Sequence, residues 1–279
     1  MLVVIASSMT IAVELDVFSN FRQKMESYDS GINDVRFTCE ASSEWWKLAD
    51  DFVLTIVNDA SKYKNPQDYF GDIKNKEIQG IKVNFNDSGF IGFNYNGQRP
   101  VIENKNTLYA NNWLSISIRP LTEDRSIYYV GYYRIWYEFP NAEGRILSLG
   151  TFRIIEKNAE SGKYKITAKQ EESNFYKHII QQGKFKYLDE NQVPFCEWDP
   201  HFEKYESKEN GSVVVFQLLY ILGVSGSPMQ NQMYVTWIYG PGKKLKATNY
   251  KYISYDSRND PNVRITPEHL NGGTVEIPR

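Results

Sequence analysis

The stretch from Tyr128 to Glu156, YYVGYYRIWYEFPNAEGRILSLGTFRIIE, constrains the fold of this chain more than any other. Tyr133, Ile135, Tyr137 and Phe139 alternate with Tyr132, Arg134, Trp136 and Glu138. A pleated strand sends successive side chains to opposite faces and favours aromatic and β-branched residues, so this alternation predicts a strand. Pro140, Asn141 and Gly144 then supply a fixed φ, a tolerance of positive φ and a missing Cβ, which together let the chain reverse. The return strand runs from Arg145 to Glu156. Its apolar parity changes around Gly150, a change that a β-bulge there would produce.

The same rhythm recurs on both sides of this hairpin. Ile81, Val83 and Phe85 alternate with Lys82 and Asn84, and Asn86-Asp87-Ser88-Gly89 turns the chain into Phe90 to Tyr95. Asn96-Gly97 reads as a further turn and Trp113 to Arg119 as a strand closed by Pro120. Lys163 to Lys169 places Tyr164, Ile166 and Ala168 on one face and lysines on the other, a pattern that keeps a strand edge soluble. Phe175 to Ile180 and Lys184 to Leu188 are further strand candidates. Val213 to Leu222 is almost continuously apolar, as a strand buried on both faces would be. Met229 to Tyr239 returns, Gly240-Pro241-Gly242 turns, and Thr248 to Tyr255 alternates again. The two strongest β pairs, Tyr128 to Glu156 and Ser212 to Tyr239, are expected to share a core.

Ahead of the strands the period lengthens. Ile11, Leu15, Phe18, Phe21, Met25 and Tyr28 recur at helical spacing. Ser42 and Ser43 can cap a second helix whose apolar side holds Trp45, Leu48, Ala49, Phe52, Val53, Ile56, Val57 and Ala60, with Asp50, Asp51 and Asn58 facing away. Lys62 to Gly80 reads as a loop. The expected class is α+β, predominantly β: an antiparallel meander or barrel-like sheet with an N-terminal pair of helices packed on it. The expected divisions are a helical segment over 1–75, an antiparallel β-domain over 76–256 and an extended tail over 257–279.

A chain of 279 residues can bury a sizeable core. Its net charge of -2 lacks the basic excess with which proteins grip nucleic-acid phosphates, so nucleic acid is not an expected partner. Leu2 to Val13 is apolar but has no basic residue before it, and it is far shorter than the roughly 20 residues of a membrane span. No membrane span is expected. The expected location is cytoplasmic, with secretion as the alternative if residues 1–13 belong to a signal peptide. Cys39 and Cys196 form no CxxC pattern, so neither a disulfide framework nor a cysteine zinc site is indicated.

Three groups of residues could carry chemistry. Gly223-Val224-Ser225-Gly226-Ser227-Pro228 resembles the nucleophile loop of chymotrypsin-like serine proteases, but that family's histidine lies far upstream and the earliest histidine here is His178. Cys196, Asp199, His201 and Glu203 concentrate a thiol, an imidazole and two carboxylates, although Pro200 forces a turn and short-strand neighbours do not converge tetrahedrally. Arg134 and Glu138 share a strand face with Tyr132 and Trp136 and could orient a polar ligand, or could form an exposed ion pair of small value. No phosphate loop, dinucleotide fingerprint or metal-binding motif is present, so no cofactor and no metal are expected.

YYVGYYRIWYEF, then LGTFRIIE, then LLYILGVSGSPMQNQMYVTW resembles the β-rich effector-sensing domains attached to some bacterial helix-turn-helix regulators, over residues 128–239. The resemblance implies ligand sensing. It does not extend to DNA binding, because residues 1–75 show no helix-turn-helix spacing and no basic recognition face. The expected function is a non-enzymatic β-domain that binds a small molecule or a protein partner, with Tyr132, Arg134, Trp136, Glu138 and Trp237 as candidate ligand-binding residues. The alternatives are a hydrolase using Ser225 or the Cys196/His201 cluster, and a structural protein that forms homo-oligomers.

Overall fold

The computed structural model describes residues 17–26, 43–63, 66–73, 77–86, 89–103, 106–138, 145–173, 186–188, 194–196, 199–206, 213–222 and 231–253. Helix α1 covers 17–26, α2 runs Ser43–Ala60 and α3 runs Pro66–Ile73. Seven strands follow: β1 Glu77–Ile78, β2 Ile81–Phe85, β3 Ile91–Glu103, β4 Asn106–Pro120, β5 Ile127–Glu138, β6 Arg145–Lys157 and β7 Tyr164–Lys169. They pair antiparallel in chain order and the sheet ends at β1 and β7, so it is an open meander and not a closed barrel. A short two-stranded sheet joins β8 Lys186–Leu188 to β9 Pro194–Cys196. A four-stranded antiparallel sheet contains β10 Asp199–Glu206, β11 Val214–Leu222, β12 Asn231–Gly240 and β13 Lys244–Ile253.

The large sheet is the middle layer of three. On one face Ile81, Val83, Ile91, Phe93, Leu114, Ile116, Ile118, Val130 and Tyr132 pack against Phe18, Phe21, Met25, Phe52, Val53 and Ile56 of the helices. On the other, Tyr129, Phe152, Ile154 and Ala168 pack against Phe216, Leu218, Tyr220, Val235 and Trp237 of the second sheet. The two strongest β pairs thus share a core, as their apolar content predicts. Ring contacts bind both cores, with Phe18 edge-on to Phe52 at 5.4 Å and Phe152 edge-on to Trp237 at 5.0 Å.

Five local expectations are revised. Lys62 to Gly80 is not all loop, because Pro66 starts α3, where a missing N–H costs nothing, and Tyr69, Phe70 and Ile73 bury one side of it. Asn96-Gly97 does not turn: both lie inside β3 and pair with Trp113 and Asn112 of β4. There is no bulge at Gly150, which pairs with Tyr133 in an unbroken ladder. The parity of β6 changes because both its faces are buried, with Ile154 in one core and Ile155 in the other. The register shift sits opposite, where β7 holds an extra residue, Thr167, between Ile166 and Ala168, so Ala168 faces the second sheet while Tyr164 and Ile166 face the helices. In β11, Val214, Phe216, Leu218 and Tyr220 enter the core, whereas Val215 and Gln217 on the opposite face are only half-buried. The strand is therefore less enclosed than its apolar run suggests. Phe175 to Ile180 and the tail beyond residue 253 lie outside the described residues.

The Asn86 turn behaves as its sequence predicts. The Asn86 N–H donates to the Phe90 carbonyl at 3.1 Å, the Phe90 N–H donates back to Asn86 Oδ1 at 3.2 Å, and Gly89 takes φ +81°. Among the described residues no helix is long and apolar enough to cross a membrane.

Candidate functional site

The structure separates the residues that the sequence singled out. Tyr132 is 1% exposed and lies in the core under the helices, while Trp237 is 0% exposed and lies in the core between the sheets. They occupy opposite sides of the large sheet. Arg134, Trp136 and Glu138 continue along β5, where the ladder pairs Arg134 with Leu149, Trp136 with Leu147 and Glu138 with Arg145. Cys196 is on β9 and His201 on β10, in different sheets. Ser225 lies outside the described residues.

Among the described residues, the tightest convergence of ionisable groups involves a residue that the helical pattern had pointed outward. Asp50 of α2 is 7% exposed. Tyr132 donates its hydroxyl hydrogen to Asp50 Oδ1 at 2.8 Å, and Arg153 Nε of β6 lies 3.1 Å from Oδ1 and 3.3 Å from Oδ2. The Arg153 Nη1 group turns to Glu171, 2.9 Å from Oε1 and 2.7 Å from Oε2, and also faces Thr151 Oγ1 at 3.1 Å and the Phe152 carbonyl at 3.1 Å. Thr151 completes the ring by donating to Glu171 Oε1 at 2.8 Å. Trp46 stacks on Tyr132 with centroids 6.0 Å apart, and Arg153 lies 5.5 Å from the same ring.

Burial sets the electrostatics of this network. It pushes the Asp50 carboxyl above the usual carboxylate range, by more than Arg153 and the Tyr132 hydroxyl pull it back. Burial drives the Tyr132 phenol well upward, reinforced by the Asp50 charge. For Arg153 burial acts downward, but Glu171 and Asp50 outweigh it and the net shift is up. Asp50, Tyr132 and Arg153 are enclosed, and only Glu171 reaches solvent, so the arrangement is built as a latch joining α2 to β5 and β6. Asn58, two residues before the end of α2, adds a second tie. Its Nδ2 donates to the Tyr164 carbonyl at 3.2 Å and its Oδ1 accepts from the Tyr164 N–H at 2.7 Å, so the side chain caps the first residue of β7. Asp50 and Glu171 are the only carboxylates of the latch, and among the described residues no three His, Cys, Asp or Glu side chains gather as a metal site would require.

The sheet's other face carries a second polar arrangement. Gly92, Ser117, Gly131 and Phe152 stand in one cross-strand row, and Phe152 belongs to the inter-sheet core, so this row faces the second sheet. The row has two positions without a Cβ, and rings from the next row fold over them. A Cβ at Gly92 would meet the Phe90 ring at 3.0 Å, and one at Gly131 would meet the Tyr129 hydroxyl at 2.7 Å and Ser117 Oγ at 2.9 Å. Arg119 shares this face. Its guanidinium carbon lies 4.5 Å from the Phe90 ring centroid and 4.9 Å from that of Phe202 on β10. Among the described residues Arg119 Nε has no hydrogen-bond partner, and burial depresses the pKa of the group, with Tyr129 acting the other way. The sequence signal for this cluster was faint: an arginine ending a strand of serines and isoleucines.

Compared with known protein families, with curated proteins and with solved structures, the chain finds no match.

Proposed function

We propose that this protein is a non-enzymatic β-domain that binds a small-molecule ligand or a protein partner on the outer face of its seven-stranded sheet, as a sensory or regulatory module does. One observation carries the reading. The second sheet packs on residues of β5, β6 and β7, while Lys82, Asn84, Asn94, Ser115, Ser117 and Tyr133 on the same face of β2 to β5 keep contact with solvent. That half of the face is polar, is held rigid by the helix core beneath it, and lies beside aromatic rings, which is the composition of a recognition surface. Among the described residues, the tightest cluster of ionisable groups is enclosed and mutually paired, which makes it a structural tie and weighs against catalysis there.

A thermal-shift screen against nucleotides, sugars and small metabolites tests the reading, because a ligand that binds only the folded state raises the melting temperature with its concentration. Saturable stabilisation that is lost in an Asn94→Asp/Ser115→Asp double variant is the expected result. Stabilisation that the double variant retains, or turnover of a compound in the screen, would contradict it.

A further inference from the structure

Strand β7 ends the seven-stranded order, and among the described residues no strand lies beyond it. In an antiparallel ladder, successive residues turn their backbone N–H and C=O groups alternately toward one neighbour and the other. The Lys163 carbonyl accepts from the Asn158 N–H at 2.9 Å, so Lys163 is turned toward β6. Tyr164 is therefore turned outward, and the N–H of Lys157 opposite it goes to the Ser126 carbonyl at 2.8 Å. Lys165 turns inward again and Ile166 outward. Thr167, the extra residue of β7, then breaks the regular run.

The outward edge is thus two residues long, and Asn58 holds the first of them. A residue on a neighbouring antiparallel strand would exchange both N–H···O bonds with the residue opposite it. The Asn58 side-chain amide makes the same two bonds with Tyr164, accepting from its N–H at 2.7 Å and donating to its carbonyl at 3.2 Å. The amide stands where the backbone of a further strand would stand. Its position is fixed by α2, whose buried residues Ile56, Val57 and Ala60 flank Asn58 in the helix core. Ile166 is left as the one outward residue of the run, with no backbone bond on that side among the described residues.

We propose that Asn58 is an edge guard, which closes β7 against strand pairing with β7 of a second copy of this chain. The guard operates whatever the outer face binds. The two outward residues set the register that such a pairing takes. About a twofold axis at Lys165, Tyr164 of each copy exchanges hydrogen bonds with Ile166 of the other. The two Lys165 side chains, both exposed, then stand opposite each other, where like charges are unfavourable. Lys165 therefore guards the same edge by charge, as lysines on edge strands do.

Sedimentation velocity over a concentration series tests this on the full chain, in Lys165→Thr, Asn58→Ala and the Asn58→Ala/Lys165→Thr double variant. The double variant should dimerise about tenfold more tightly than Lys165→Thr, which keeps the amide. Asn58→Ala alone should need salt of about 1 M to associate, where the Debye length falls to about 3 Å. Adding Ile166→Pro removes an outward N–H and leaves the bonds to β6 in place, so it should return the double variant to monomer. If Asn58→Ala does not fold, Asn58→Ser takes its place, since that side chain is too short to span both groups of Tyr164. Equal association in the double variant and Lys165→Thr, or association that Ile166→Pro leaves in place, overturns the proposal. Hydrogen exchange in wild type bears on it separately: the Ile166 amide should exchange faster than that of Tyr164, and equal protection of the two overturns the proposal, because the edge would then be closed without Asn58.

Discussion

Arg153 and Asp50 are 103 residues apart in sequence, yet the guanidinium Nε of one lies 3.1 Å from a carboxylate oxygen of the other, in the seam between helix α2 and the sheet. The pair is buried on both sides, with side-chain exposures of 3% and 9%. Removing one partner of such a pair strands the other charge, and typically costs about 3–5 kcal/mol. Asp50→Ala should therefore lower the urea midpoint strongly. Asp50→Asn keeps an acceptor for Tyr132 and should cost less, since Glu171 still holds Arg153. Joint replacement by apolar residues, Asp50→Leu with Arg153→Met, should recover much of the Asp50→Ala loss.

The acid limb of the stability curve carries a sign that identifies Asp50. Its folded pKa is raised above the ordinary 3.8 by burial, so the folded state binds the proton more tightly than the unfolded chain. The stability from this group is complete below the unfolded pKa and is lost as pH rises through the raised folded value. Urea midpoints of wild type and Asp50→Asn against pH should show that decline in wild type alone. Asp124, held below the usual range by hydrogen bonds from Thr122 and Ser126, contributes the opposite slope in both proteins.

Alkaline conditions should unfold the protein steeply. Burial raises the phenols of Tyr128, Tyr132, Tyr164, Tyr220 and Tyr239 above the ordinary 10.0, that of Tyr239 to about 12. Each is protonated in the folded state where the unfolded chain has ionised, so stability falls as pH rises from 10.0 through the folded values. The tyrosinate absorbance that belongs to these five should appear together with the loss of circular dichroism, in one cooperative step. Ionisation of all the tyrosines ahead of unfolding would argue against the two cores.

Inside the inter-sheet core the indole Nε1 of Trp237 donates to the Tyr220 hydroxyl at 3.1 Å, and both side chains are 0% exposed. Tyr220→Phe keeps the ring and removes this acceptor, and should cost about 1–3 kcal/mol in denaturant unfolding. Tyr220→Ala adds a cavity, and the loss should rise to about 3–5 kcal/mol, as for other large aromatic truncations.

Glycine positions provide a contrast that tests the packing over the outer face. Gly131→Ala drives a Cβ to within 2.7 Å of the Tyr129 hydroxyl and 2.9 Å of Ser117 Oγ, and should cost about 1–3 kcal/mol as an overpacked site does. Gly162→Ala meets nothing within 4 Å and bears only the strain of φ +67°, about 1–2 kcal/mol. Only the first should alter the amide signals of Ser117.

How far the fold could be read from the chain follows from the range of the interactions involved. Period-two alternation is local, and it marked β2, β5, β7, β13 and the pairing of Tyr128–Glu156. The Asn86 turn was legible because its own side chain makes the turn bond. Parity failed in β6, where burial on both faces imitates a bulge, and Asn96-Gly97 failed because a long ladder with β4 overrides a local turn preference. Asp50 was misread for a similar reason. The apolar arc of α2 is wide, and Trp46, Asp50, Val53 and Val57 follow helical spacing on its inner side, so a lone acid amid buried neighbours was the available signal. Its partner on β6 could not be inferred, since nothing local ties residue 50 to residue 153. The Arg119 cluster depends on the approach of β10, which no local pattern announces.

The central claim is that the exposed half of the outer face, and not the enclosed latch around Asp50, is where this protein meets its ligand. Hydrogen exchange measured with and without a stabilising compound tests it most directly. The account predicts added protection over residues 82–95 and 114–133, with the amides of α2 slowed only as much as overall stability requires. Protection concentrated in α2 and around Glu171, with the outer strands unchanged, would contradict it.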